Sequence, residues 1–370
     1  MYADPVVRKI LLCQPALNAQ DAAAVSDQVR SGWIGPGPRT EEFQKAIADV
    51  AGKKYCAATT SGTVALSIAA HAAGLRTGDE ILVPAYGVIS TINAFASFGL
   101  RPRLVDIDKA TGCMSPEALQ LRLTKNTKAV CYVDFSGATG QSLLEIQAFC
   151  RKKKIILIED AACAMGQTFQ GKQAGAFGDI GIYSFSVPKI VTTGQGGAIV
   201  TDHEAFWNAA LCFMDQGDRE WRKTNLNHGI GNNLRFTDVL AALGLSQMKR
   251  LPQLLDQKRK IFKIFEKGLN EKIYHLEGGG APLHHIIFSA AAERMVHVLS
   301  GRGIQAVRQY RTLSEHPAYK ELADISFPHA DYWTRYAVYL PFGLELTEGD
   351  AERIVKAVLD SGIKIEAAGK

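Results

Sequence analysis

The chain has 370 residues, 47% of them hydrophobic and 21% charged, the proportions of a globular protein able to bury a core of its own. That excludes a disordered chain and a disulfide-stapled mini-protein, and the length is that of two to three domains. The formal charge of +5 at pH 7 suits an anionic small molecule and is too small to argue for nucleic acid. Seven cysteines lie scattered without a Cys-x-x-Cys pair and read as reduced thiols of a cytoplasmic protein. The first residues, MYADPVVRKILLCQP, hold no cleavable small-residue site. No apolar run reaches the roughly 20 residues of a membrane span, so a soluble intracellular protein is expected.

From about residue 55 to 201, short apolar runs alternate with helical patterns. The runs EILVP (80–84), RLVDI (103–107), KAVCYV (128–133), IILIE (155–159), IGIYSF (180–185) and GAIVT (197–201) read as strands. SGTVALSIAAHAAGL, TINAFASFGL, SPEALQLRL and SLLEIQAFCRKKK carry apolar residues at i, i+3 and i+4 and read as helices. Val- and Ile-rich strands separated by helices predict an α/β fold with a mostly parallel sheet covered on both faces. Ser61 and Ser115-Pro116 mark helix starts, and RKKK at 151–154 reads as the solvated end of a helix. Beyond Asp202 the pattern is mainly helical, with one long helix expected from Thr237 to beyond Lys267. GGG at 278–280 is the best linker signal. The segment YAVYLPFGLELTEGDAERIVKAVLDSG reads as a strand, a loop and a last helix capped by Thr347. These signals divide the chain into a large domain, 1–250, and a small C-terminal α/β domain, 251–370.

Three short motifs carry chemistry. Thr60-Ser61-Gly62-Thr63 opens a helix, where free N–H groups and the helix dipole form a phosphate cradle, although such a cap is common without any ligand. Asp160 ends the strand IILIE, where it either faces the crevice in which parallel sheets bind ligands or caps the turn that follows. Lys189 lies between the strand IGIYSF and the glycine-rich TTGQGG. Lysines are mostly surface residues, but desolvation among apolar groups disfavours an ammonium ion, and a neutral amine is what condenses with a carbonyl. Together the three match the needs of pyridoxal 5'-phosphate: a cradle for its phosphate, an anion for its ring nitrogen and an amine for its aldehyde.

The chain resembles the DegT/DnrJ/EryC1/StrS family of sugar aminotransferases, of the aspartate aminotransferase fold. The matching stretches are GWIGPGPRTEEF, TSGTVAL, GDEILVP, IEDAACAMG, GKQAGAFGDIGIYSFSVPKIVTTGQGGAIVT, GNNLRFTDVLAALGLSQMKRL and YAVYLPFGL. The resemblance implies pyridoxal phosphate as cofactor. Lys189 then attaches to the cofactor aldehyde and carries the proton, while Asp160 pairs with the ring nitrogen. Ser61, Gly62, Thr63 and Ser184 hold the phosphate, joined by Asn233 from the neighbouring subunit of a homodimer. Without the family, Asn233 reads as an ordinary helix-start residue.

The chain departs from the family at three points. Val88 stands where an aromatic usually stacks on the ring, with Tyr86 nearby as a substitute. Cys163 stands where Gln or His follows EDAA, and Gln195 where Glu is usual. The implied reaction moves an amino group from an amino acid, L-glutamate by family precedent, to a nucleotide-linked keto-deoxysugar. Outer contacts to sugar or nucleotide are expected from Trp33, Ile34, Gly35, Arg219, Arg222 and Arg308, with no nucleic acid, membrane or metal involved. Two alternatives stand beside this reading. One is the family's sugar dehydratase branch, which carries His in place of the lysine; the other is a non-catalytic regulator.

Overall fold

The structure, a computed structural model, describes residues 8–277 and 279–367. The first seven residues of the N-terminal stretch and Gly278 of the expected linker lie outside the described residues.

A seven-stranded sheet forms the centre of the molecule. Its strands are β1 (Tyr55–Thr59), β2 (Glu80–Pro84), β3 (Arg101–Val105), β4 (Thr127–Val133) and β5 (Ile156–Asp160); then, past the two-residue hairpin strands β6 (Thr168–Phe169) and β7 (Lys172–Gln173), β8 (Ile180–Ser184) and β9 (Gly197–Thr201). The spatial order is β1-β9-β8-β5-β4-β2-β3. All pairings are parallel except those of β9, which runs antiparallel to β1 and β8. Successive side chains of a strand point to opposite faces, and the core divides accordingly. Ala57, Ile182 and Ile199 join one apolar cluster, whereas Cys56, Ala58, Tyr183, Ala198 and Val200 join another on the opposite face. The fold is therefore α/β, with a mostly parallel sheet flanked by helices, as the alternation of runs implies.

Three differences from the sequence reading have physical causes. β1 is absent from the expected strands because YCAAT is short and Ala-rich; its pairing with β9 makes it a strand. β3 starts two residues before the expected run, since Arg101 and Pro102 pair with Glu80 and Ile81 at the sheet edge, where a proline's missing N–H is tolerated. The single long helix expected after Thr237 is two helices, Asp238–Lys249 and Leu251–Gly268. The break falls at Arg250, whose φ of −103° and ψ of 3° leave the helical range, because Pro252 sits in the first turn of the second helix and cannot donate backward.

A second sheet pairs β10 (His285–Phe288) with β11 (Ala337–Leu340) antiparallel. With the helices Leu251–Gly268, Ala292–Gly301 and Glu348–Leu359 it surrounds a third apolar cluster that includes Phe265, Ile287, Met295, Val338 and Ile354. Thr347 caps the last helix as expected: its Oγ1 accepts from Asp350 N, and the Asp350 carboxylate accepts from Thr347 N, both at 3.1 Å. Ser61 and Ser115 cap their helices too, and RKKK is the exposed end of the helix Gln141–Lys153. All seven cysteines are free, four of them buried. Among the described residues no helix is long and apolar enough to cross a membrane.

Candidate active site

The carboxyl ends of β4, β5 and β8 and the first turn of the helix Gly62–Ala72 enclose a cavity of about 430 Å³, placed where parallel sheets bind ligands. Ser61, Gly62, Thr63, Val88, Asp160, Cys163, Ser184, Lys189 and Gln195 all line it. Residues separated by more than a hundred positions in the chain thus meet at one strand edge.

The helix Gly62–Ala72 presents free amides to this cavity. Ser61 Oγ accepts from Val64 N at 3.2 Å, leaving the other first-turn N–H groups without intrahelical partners. Gly62 is required by close approach: a Cβ there would lie 2.9 Å from Ser184 Cβ and 3.1 Å from its Oγ. The helix start and the end of β8 form a cradle just wide enough for glycine, with a hydroxyl on its rim.

Asp160 also lines the cavity. It is 4% exposed, and its carboxylate accepts from Thr91 Oγ1 and from Ala162 N, each at 3.1 Å. The two sequence readings of Asp160 coexist, because one oxygen caps the following turn while the side chain faces the cavity. Burial pushes its pKa up; the Ala162 amide, the Lys189 charge and the Thr91 hydroxyl pull against that rise. Its neighbour Glu159 points away, accepting from Gly175 N at 2.5 Å, Phe177 N at 2.6 Å and Gly178 N at 2.7 Å. That carboxylate ties the segment leading into β8 to the back of β5. Asp134, just past β4, donates its backbone N–H to Asp160 O at 3.0 Å. Burial and the Glu159 carboxylate hold its carboxyl well above the usual range.

Lys189 occupies the turn after β8, held by its N–H bond to Ser186 O at 3.0 Å. Its half-buried side chain donates from Nζ to Cys163 Sγ at 3.1 Å. Val88 caps the helix Ile89–Ala96 and is partly exposed at the cavity wall. Tyr86 is buried in that wall with its hydroxyl 2.9 Å from the Tyr339 hydroxyl.

The chain beyond β9 supplies residues that sequence reasoning missed. His284, Tyr310 and Leu313 line the cavity from the C-terminal part. Ser136 fixes the first of them: in a left-handed conformation with φ of 56°, it accepts from Leu283 N through its carbonyl at 2.6 Å and from His284 N through its Oγ at 2.9 Å. Burial drives the His284 pKa well below its ordinary value, so the ring is a neutral hydrogen-bonding group. The pair His284-His285 just before an apolar run was the one signal available, and nothing local says which cavity it meets.

Other expected contacts stand apart from the cavity. Asn233 is exposed, its Oδ1 accepting from Arg235 Nε at 3.1 Å. Trp33 and Ile34 are exposed, and Gly35 O accepts from Asp238 N at 2.9 Å. Arg222 pairs with Asp215 at 2.7 Å, Arg308 with Glu293 at 2.5 Å, and Arg219 lies over the Trp207 ring. None of these seven lines the cavity of its own chain. Among the described residues no three His, Cys, Asp or Glu side chains converge as metal ligands.

Comparison with known proteins assigns the class. The sequence model of the DegT/DnrJ/EryC1/StrS aminotransferase family matches residues 15–359. The chain belongs to that family, and it is an enzyme of the sugar aminotransferase class. The GDP-perosamine synthase of Escherichia coli O157:H7 is 32% identical over 268 residues, 72% of this chain and 73% of that protein. Aminotransferase TlmJ from Streptoalloteichus hindustanus superposes with a TM-score of 0.89 at 28% identity, over 95% of this chain and 98% of that one. The GDP-4-keto-6-deoxy-D-mannose-3-dehydratase of E. coli, solved with bound hydrated PLP, shares the fold at 23% identity, with a TM-score of 0.86 over 94% of this chain and 99% of that one.

The raised pKa of Asp160 has a sign that can be measured. In the folded protein without ligand the group holds its proton above its unfolded value of 3.8, so its contribution to stability is lost as pH rises from there through the folded pKa. Urea denaturation of ligand-free protein between pH 3 and 7 should show Asp160→Asn gaining stability relative to wild type as pH rises. A difference that stays flat with pH contradicts a buried, destabilised carboxylate.

Proposed function

We propose that this protein is a pyridoxal-phosphate-dependent aminotransferase that converts a nucleotide-linked keto-deoxysugar to an aminosugar. L-Glutamate is the amino donor, and the product serves cell-surface polysaccharide or secondary-metabolite sugar biosynthesis in the cytoplasm. The observation that carries this reading is that three groups line one cavity: a glycine-tight helix start, a buried strand-end carboxylate and a lysine. The cofactor fits the residues present. The cradle between Gly62 and Ser184 admits no side chain and offers amides and a hydroxyl to an anion. Asp160 is a buried carboxylate whose ionised form a cationic ring nitrogen would favour. Lys189 lies within reach of the same space.

Bound there, pyridoxal phosphate supplies a carbonyl for an amine and an electron-withdrawing ring that stabilises charge at the substrate carbon. The protein supplies the rest. Ser61, Gly62, Thr63 and Ser184 hold the phosphate. Asp160, steadied by Thr91 and the Ala162 amide, keeps the ring nitrogen protonated. Lys189 Nζ takes the proton from the donor's α-carbon and returns it at the sugar carbon. Val88 and Tyr86 wall the ring, and neutral His284 and Tyr310 offer hydrogen bonds without adding a cation, as suits sugar hydroxyls. A large domain through residue 250 carries the cofactor groups, and a small domain from 251 closes the far wall with His284 and Tyr310. The name of the GDP-perosamine synthase supports a nucleotide-linked sugar. The lysine at 189 supports amination over loss of a hydroxyl.

Asn233, exposed and outside its own chain's cavity, reaches the phosphate of the partner subunit in a homodimer. Lys189→Ala should lower turnover by about 10²–10⁴-fold or more, as expected when a positioned proton carrier is lost, in assays of amino transfer; near-normal rates refute its role. Inactive Lys189→Ala protein mixed and refolded with Asn233→Ala protein should recover activity, because half of the mixed sites regain both residues. No recovery argues for sites built within one chain.

A further inference from the structure

We infer that Cys163 and Lys189 form a peroxide-responsive pair, in which oxidation of the thiol is followed by a reversible covalent sulfur–nitrogen bond that withdraws the lysine. Two independent observations place this chemistry at one point. The Lys189 Nζ donates to Cys163 Sγ at 3.1 Å, within the roughly 3–3.5 Å of atoms poised to react. Both residues also line the same cavity, whose volume of about 430 Å³ admits a molecule as small as hydrogen peroxide. Four of the other cysteines are buried in the core, out of reach of such a reagent. Oxidation follows accessibility, so Cys163 reacts ahead of those four.

The balance is simple. Hydrogen peroxide converts the thiol to a sulfenic acid: a sulfur–oxygen bond forms, the peroxide O–O bond breaks, and one water leaves. The Lys189 amine then attacks the electrophilic sulfur, the sulfur–oxygen bond breaks, and the hydroxyl departs as a second water with a proton from nitrogen. Sulfur loses two electrons and peroxide gains them. A thiol reductant reverses the bond, which separates this product from the irreversible sulfinic and sulfonic acids further along. While it lasts, the bond also guards the cysteine against those states.

The bond itself depends only on the contact. Its consequence, loss of the cofactor lysine, rests on the function proposed above. Ligand-free protein is treated with hydrogen peroxide, its remaining thiols are alkylated, and it is digested and weighed by mass spectrometry. The peptide holding Cys163 should appear joined to the peptide holding Lys189, lighter than their sum by about 2 Da for the two hydrogens lost. Dithiothreitol should separate them, Cys163→Ser protein should give no joined species, and prior loading with pyridoxal phosphate should suppress it. Cys163 advancing to sulfinic acid with Lys189 unmodified overturns the proposal, as does a joined species that survives in Cys163→Ser. If the joined species forms but pyridoxal phosphate neither binds nor protects, the pair stands and the cofactor reading fails.

Discussion

The carboxylate of Asp160 sits at the carboxyl edge of a parallel sheet with almost no access to water, and much of the surrounding structure follows from that placement. An ionised carboxyl in such a position is unfavourable unless its lone pairs are met and a cation lies opposite. The Thr91 hydroxyl and the Ala162 amide meet two of them, and Lys189 contributes charge from across the cavity. Glu159, one residue earlier, solves the same problem on the other side of the strand with three backbone amides. Asp134, buried beside Glu159, has its carboxyl held well above the usual range. Three buried acids therefore share one edge of the sheet, and of the three only Asp160 lines the cavity, where a cationic partner would favour its ionised form.

The cavity around that carboxylate joins distant parts of the chain. β5 and β8 bring Asp160 and Ser184 side by side, and the helix after β1 brings Gly62 against Ser184. The left-handed backbone of Ser136 then fastens the stretch before β10, so that His284 joins the cavity lining. The enzyme class and the fold rest on the family and its solved relatives; the roles proposed for individual side chains are argued from this geometry.

Much of the scaffold was legible in the sequence because its signals are local. Val- and Ile-rich runs of strand length, hydroxyl residues at helix starts and the Thr347 cap all act within a few residues. The cradle, Asp160 and Lys189 were legible because each sits at a punctuated point, a cap or a strand end. Long-range consequences were not. β1 needed β9 to become a strand, Pro252 divided a helical pattern that otherwise runs on, and His284 and Tyr310 reached the cavity through contacts spanning much of the chain. Asp134 and Glu159 were not singled out in the sequence, since nothing nearby reveals which acid will be buried without water. Arg222 and Arg308 were expected to contact sugar or nucleotide as basic residues, and the structure pairs each with an acid of its own chain.

The most direct test of the central claim is the visible absorbance of purified protein with pyridoxal phosphate, recorded before and after L-glutamate is added. A yellow band from cofactor joined to Lys189 should form, bleach as the amino group is taken up and return with a suitable keto sugar. Absence of any band, in protein shown to be folded, contradicts that claim.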